Sequence, residues 1–205
     1  MRYTGPKNRI SRREGVDLEL KTVGSKSHAR LLKKLGVPPG QHGLRKRRKV
    51  SERGTQLREK QKLRYMFGVT EKQLKNYFKK ASLKKGNTAL YLSHSLESRL
   101  DNIIFHLGFA PTRSAARQLV THGHINVNGK KLSIPSYQVR VGEEISLDEK
   151  STKIPYIELC LNNKDTIIPS WLEKKATTGK LIAEPTQEVI EKLINLRLII
   201  EYYSR

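Results

Sequence analysis

The distribution of charge constrains this chain more than any other feature. Residues 1–92 hold 26 Lys/Arg against 6 Asp/Glu, a net of +20, whereas residues 93–205 hold 15 against 13, a net of +2. A field that concentrated works against compaction unless an anion neutralises it. A nucleic-acid backbone has the matching charge density, and every Lys/Arg–phosphate contact releases counterions. A disordered basic tail would carry the same charge. The basic half, however, also has apolar residues at helix period, which such a tail lacks.

Length and residue usage narrow the classes further. A chain of 205 residues is one domain or two small ones. Hydrophobic residues make up 36% and charged residues 29%, so part of the chain is expected to order only on a partner. Cys160 is the only cysteine, which excludes an internal disulfide and a thiolate zinc cluster and fits a reducing compartment. No apolar run approaches the roughly 18 residues of a membrane span. Residues 1–10 lack the apolar stretch of a signal peptide. A soluble, cytoplasmic protein with no membrane partner is the expectation.

Residues 1–50 read as an extended basic arm. They are rich in Arg, Lys and Gly, contain Pro38-Pro39-Gly40, and end in the run Arg45–Lys49; Leu31, Leu32 and Leu35 suggest one short helical turn. Helical signals begin near Ser51. Ser51 or Thr55 caps a basic helix running to Phe67 and closed by Gly68. Thr70 and Gln73 form a capping box for the next helix, whose Leu74, Tyr77, Phe78 and Ala81 make one apolar stripe. Asn87 caps a longer helix with Ala89, Leu92, Leu96, Leu100, Ile103 and Leu107 on its apolar face, stopped by Gly108. Residues 51–96 are therefore expected to be a small helical domain.

Beyond Gly108 the pattern changes. Pro111-Thr112 opens a helix of about ten residues ending at Gly123. Ile125–Val127, Asn128-Gly129 and Lys130–Leu132 read as a tight hairpin, and Tyr137–Arg140 and Glu144–Leu147 continue the β character. Residues 97–157 thus form a compact helix–helix–hairpin module. Residues 158–205 are expected to be a tail on the helical domain, with a helix near Gln187–Ile194 and a strand-like Leu198–Tyr203. The fold class is α+β.

On the helix after Thr112, Arg113, Ser114, Arg117 and Gln118 share an arc of about 140°, opposite Ala115, Ala116, Leu119 and Val120. Two arginines one turn apart can fork onto successive phosphates, or simply decorate an amphipathic surface helix. His28, His42, His94, His106, His122 and His124 show no metal-ligand spacing, and Cys160 lies in an apolar stretch as an inert packing residue does. No P-loop pattern supports nucleotide hydrolysis. The basic helix ending at Phe67 has no broad apolar face for a membrane surface.

Ser98–Asn102, Thr112-Arg113, Ala116–Val120, His122–Ile125 and Val127–Lys130 resemble the small RNA-binding module first named for small-subunit ribosomal protein S-four. In the same family picture that module is also appended to RNA pseudouridine synthases, tyrosyl-tRNA synthetases and a small heat-shock RNA-binding protein. The remaining segments, Gly5–Lys7, Ser11–Gly15, Pro39–Gly43, Gln56–Arg64, Ile134–Val139, Pro169–Leu172 and Glu201–Arg205, resemble the bacterial S-four family itself, in order and over essentially the whole chain. Residues 148–168 match it poorly.

The resemblance implies a structural rRNA-binding protein of the small ribosomal subunit with no catalytic step and no cofactor. Members of the family bind a five-way junction in the 5′ domain early in assembly, contact small-subunit protein five, and lie where mRNA enters, influencing decoding accuracy. Some bind their own mRNA. The expected RNA contacts are Arg12, Arg13, Arg45, Arg47, Arg48, Arg53, Arg58, Lys62 and Arg64 in the basic half, and Arg113, Arg117, His122, Lys130 and Lys131 in the module. Some members hold zinc on an arm cysteine cluster. Residues 1–50 contain no cysteine, so no metal is expected, and phosphate contacts at Lys33 and Lys34 are expected to order that stretch instead. The one enzyme alternative is Arg99-Leu100-Asp101, since pseudouridine synthases use the Asp of such a segment. Asp101 here stands in an apolar-striped helix and is expected to pair with a nearby arginine or to orient the helix junction.

Overall fold

The computed structural model describes residues 3–43, 49–162, 167–186 and 188–204. They divide into two units, residues 1–92 with 187–205, and residues 93–186.

The first unit begins with α1 (Lys7–Glu14) and α2 (Lys26–Lys33), so the arm is less extended than its composition suggests. Ile10, Leu18 and Leu31 are buried, and α1 packs on α2 and on α3 (Glu52–Met66). Three apolar residues suffice because hydrogen bonds do the rest. Asn8 Nδ2 donates to the Ser27 carbonyl (2.9 Å), His28 Nε2 meets Asp17 Oδ2 (2.7 Å), and Arg12 donates to the carbonyls of Val37 (2.9 Å) and Pro38 (3.1 Å).

Helix α3 is capped by Ser51, whose hydroxyl accepts from Gly54 N. The capping box of α4 (Glu71–Ser82) is present in both directions: Gln73 N donates to the Thr70 hydroxyl and Thr70 N to the Gln73 side chain. The expected long helix from Asn87 is two helices, α5 (Thr88–Glu97) and α6 (Leu100–His106). It breaks at Arg99, whose backbone is extended, because Leu100 N and Asp101 N donate to the carbonyls of Tyr137 and Pro135, and Val139 N returns a bond to the Ser98 carbonyl.

In the second unit α6 packs on α7 (Arg113–Thr121), capped by Thr112. Strands β1 (Ile125–Val127), β2 (Lys130–Lys131) and β3 (Glu144–Leu147) follow. The β1–β2 turn is the expected one, with Asn128 (φ 49°) and Gly129 (φ 75°) both left-handed. Tyr137–Arg140 is not a strand; one bridge, Gln138 to Arg99, is all that forms. Short helices α8 (Glu149–Thr152) and α9 (Pro155–Asn162) lead to β4 (Leu172–Lys175) and β5 (Thr178–Leu181). The sheet is antiparallel throughout, in the order β2-β1-β3-β5-β4. Its inward residues Ile125, Val127, Ile145, Leu147, Leu172 and Leu181 close a core with Leu100, Ile103, Leu107, Leu119 and Trp171. Gly179 on β5 is required there, because a side chain at that position would run into Leu107.

The expected tail 158–205 therefore divides. Residues 158–186 belong to the second unit. Helices α10 (Glu188–Glu191) and α11 (Leu196–Ser204) belong to the first, where α11 packs on α3 and α4. Leu198–Tyr203 is helical rather than strand-like: Leu196, Ile199, Ile200 and Tyr203 stand at i, i+3, i+4 and i+7, with Leu196 and Ile199 buried.

Candidate nucleic-acid interface

In the second unit the expected contact residues separate by exposure. Arg113 opens α7 only about 20° from Val120 on the helix projection, at the edge of the packing face. It is not on the outer surface. Its side chain is 8% exposed, its Nε donates to Asn102 Oδ1 (2.8 Å), and its guanidinium lies 4.4 Å from the Phe105 ring centroid. Asn102 in turn donates to the Glu97 carbonyl (3.0 Å) and carboxylate, and His106 Nε2 reaches the same carboxylate at 3.1 Å. This buried chain of polar groups fastens α5, α6 and α7 together.

A second buried pair stands beside it. Arg99, 1% exposed, grips Asp101 in two bonds, Nε to Oδ1 at 3.0 Å and Nη2 to Oδ2 at 2.6 Å. Arg117 approaches the same Oδ2 from outside at 3.5 Å, with 29% of its side chain exposed. Asp101 is thus the anchor of an arginine pair, as its neighbours suggested, and it orients Arg117.

The outer surface of this unit runs from Arg117 to the end of α7. His122 is exposed, its ring stacked near that of His124 (6.2 Å between centroids, 22° between planes). His124 is committed inward to the Ser151 hydroxyl (2.7 Å). Lys130 and Lys131 are both exposed on the edge strand β2, but successive strand residues point to opposite faces. The Lys131 stem lies against Gly123, so Lys131 joins the His122 end of α7. Lys130 points the other way.

In the first unit several expected contacts have internal partners. Lys62 pairs with Glu59 (2.6 Å) and is mostly enclosed; Arg58 pairs with Glu14 (3.2 Å) yet stays half exposed. Arg64 lies over Tyr65 (4.5 Å to the centroid) and 4.0 Å from Glu71. Arg12 holds the 37–38 carbonyls, whereas Arg13 and Arg53 are exposed. Arg45, Arg47 and Arg48 lie outside the described residues.

Two carboxyls in this unit feel their surroundings in opposite senses. Burial pushes the Glu14 carboxyl above the usual carboxylate range, outweighing the Arg58 charge and hydrogen bond. Burial would raise Glu71 too. Bonds from Lys60 (2.7 Å) and Tyr203 (2.8 Å), with the charges of Lys60 and Arg64, instead hold it below that range. Lys60 is itself 4% exposed and lies over the Tyr202 ring (4.5 Å), so α3, α4 and α11 meet on one buried charge.

The arm does not fit a zinc centre. Its one buried ligand-type side chain, His28, is bound to Asp17, and no group of three or more His, Cys, Asp or Glu is placed to hold a metal among the described residues. Cys160 is half-buried, and burial raises its thiol, with Lys174 opposing. No helix of the described residues is long and apolar enough to cross a membrane.

The sequence reading missed the residues that hold this surface in place: Glu97, Asn102 and His106, and the Lys60–Glu71–Tyr203 cluster. A signal was available, since charged and amide side chains interrupting an apolar stripe must be paired when buried.

Residues 2–97 match the family profile described as "Ribosomal protein S4/S9 N-terminal domain", and residues 98–145 match the "S4 domain". Among curated proteins, the "Small ribosomal subunit protein uS4" of Aquifex aeolicus is 48% identical over 212 residues, covering 100% of this chain and 99% of the relative. Proteins of the same name from Akkermansia muciniphila (45% over 208 residues) and Thermus thermophilus (44% over 207 residues) have the same coverage.

Proposed function

Because the chain belongs to the uS4 family of small ribosomal subunit proteins, we propose that it is a primary rRNA-binding protein that nucleates assembly of the subunit's 5′ domain. The coarser role follows from the family: a structural, non-enzymatic constituent of the small ribosomal subunit that binds ribosomal RNA. The observation that supports the finer role is the division of labour among its basic residues. Arg99, Arg113 and Lys60 are buried and spent on the fold, whereas Arg13, Arg53, Arg117, His122, Lys130 and Lys131 reach solvent from helices, a helix end and an edge strand. RNA helices are recognised mainly by shape and backbone, so a display fixed by the fold suits a folded junction better than a sequence.

In this reading Arg117, His122 and Lys131 grip one stretch of backbone, Arg58 and Arg64 supply further phosphate contacts, and Arg113 acts by positioning α7. Contacts with small-subunit protein five and with mRNA near its point of entry, and an influence on decoding accuracy, complete the proposal. Chemical probing of a 5′-domain transcript tests it. Protections concentrated at the five-way junction and dependent on Arg117 are expected. Protections scattered over unrelated helices would remove the junction from the proposal.

A further inference from the structure

We propose that the outer face of α4 is a second RNA-backbone contact, made by Lys72, Lys75, Lys79 and Lys80, separate from every residue assigned above. The inference rests on the rRNA-binding reading and deepens it. On the helix projection these four lysines and Asn76 fill an arc of about 140°, opposite the packing residues Leu74, Tyr77, Phe78 and Ala81. All four are exposed. Along the axis they span about 12 Å, and Lys84 and Lys85 continue the charge beyond the helix end.

Two contrasts separate this face from an ordinary solvated one. On α3 four of the five cations, Arg58, Lys60, Lys62 and Arg64, have acidic partners within 4.0 Å. Among the described residues, none of the four α4 lysines has one. The only acid on α4, Glu71, is turned toward Lys60 and Tyr203. The second contrast is position. Lys79 and Lys80 in the last turn complement the helix dipole, but Lys72 in the first turn opposes it, and Lys72–Lys75 and Lys75–Lys79 are like-charge pairs at helical spacing. The isolated chain is therefore less stable for carrying this arrangement. An external polyanion reverses the sign of every one of these terms, and lysine point charges suit a phosphate backbone without base readout.

The test is the salt dependence of binding to a small-subunit 5′-domain transcript in excess unrelated structured RNA. The variant carries Lys72→Gln, Lys75→Gln, Lys79→Gln and Lys80→Gln. Removing repulsion, it should melt at or above the parent's temperature. Its log–log salt slope should be shallower by about three units, at roughly 0.7–0.9 for each phosphate no longer neutralised. Should the quadruple variant fold poorly, the doubles K72Q/K75Q and K79Q/K80Q each carry half the expected change. A matched control replaces the exposed Lys150, Lys153, Lys175 and Lys180 of the second unit by Gln. A slope reduced by less than two units, or by the same amount in the control, would overturn the proposal. Failure of the underlying reading shows separately: the parent chain itself would then lose its binding to the competitor RNA, which overturns both.

Discussion

At the scale of single residues, arginines one turn apart on α7 do different work. Arg113 is closed in by Asn102 and Phe105, and Arg117 leans over Asp101 toward solvent. Arg113→Ala strands the Asn102 Oδ1 acceptor in a buried site, so it should destabilise by roughly 1–3 kcal/mol, read as a lower melting temperature. Its RNA salt slope should match that of the parent. Arg117→Ala should do the reverse, melting near the parent while the slope falls by about one unit. Swapped outcomes would mean the buried and displayed arginines are misassigned. A helical wheel cannot separate the two residues, because both lie within about 40° of each other. What decides is Asn102, one helix away, which no periodicity reveals. Leu100, fully buried, is a simpler case: Leu100→Ala should cost roughly 2–5 kcal/mol, and a variant melting like the parent would contradict that.

At the scale of elements, the legible parts were those with local causes. The Thr70–Gln73 box, the Ser51 cap and the Asn128-Gly129 turn are each set by a few adjacent residues, and all three are present. Elements shaped by distant partners were not legible. Strands β4 and β5, Leu172–Lys175 and Thr178–Leu181, are too polar to announce themselves and exist because β3 offers an edge. The break at Arg99 exists because the 135–139 backbone bonds into it. Helix α11 hid behind its Ile and Tyr content, although its period was helical. Its junction makes a pH prediction. The Glu71 carboxyl is held below its ordinary value, so it contributes stability above the unfolded-state value of about 4.3, and loses it as pH falls through the lower folded value. Glu71→Gln should therefore flatten the acid limb of a thermal-stability profile below about pH 4.5. Glu14 has the opposite sign. Its raised carboxyl favours folding in acid and opposes it as pH rises, so Glu14→Gln should leave stability at pH 7 unchanged or higher. A profile unaltered by Glu71→Gln would show the Lys60–Glu71–Tyr203 cluster to be unimportant. For the arm, the bonds of Asn8, Arg12 and His28 predict that a strong chelator leaves its helical signal intact.

At the scale of the whole chain, the charge asymmetry of the sequence survives folding as an asymmetry between units. Residues 1–92 with 187–205 carry a net +20 and residues 93–186 a net +2. In the proposed reading the first unit supplies long-range attraction, and the second supplies a shaped surface of nearly balanced charge on a packed core. That partition was visible in the sequence, as was the α+β class, because charge and periodicity are sums over many residues. The exposure of the candidate contact residues was only half legible, since it is decided by partners such as Glu14, Glu59 and Asn102 that no linear pattern marks. The measurement that tests this account most directly is binding of the full chain to a transcript of the small-subunit 5′ domain. It is followed across salt concentrations in excess unrelated structured RNA. The account predicts competitor-resistant binding with a steep negative salt slope, from many phosphate contacts on a matched shape. Binding that the competitor abolishes at every salt concentration would contradict it, leaving a basic protein that holds any RNA equally.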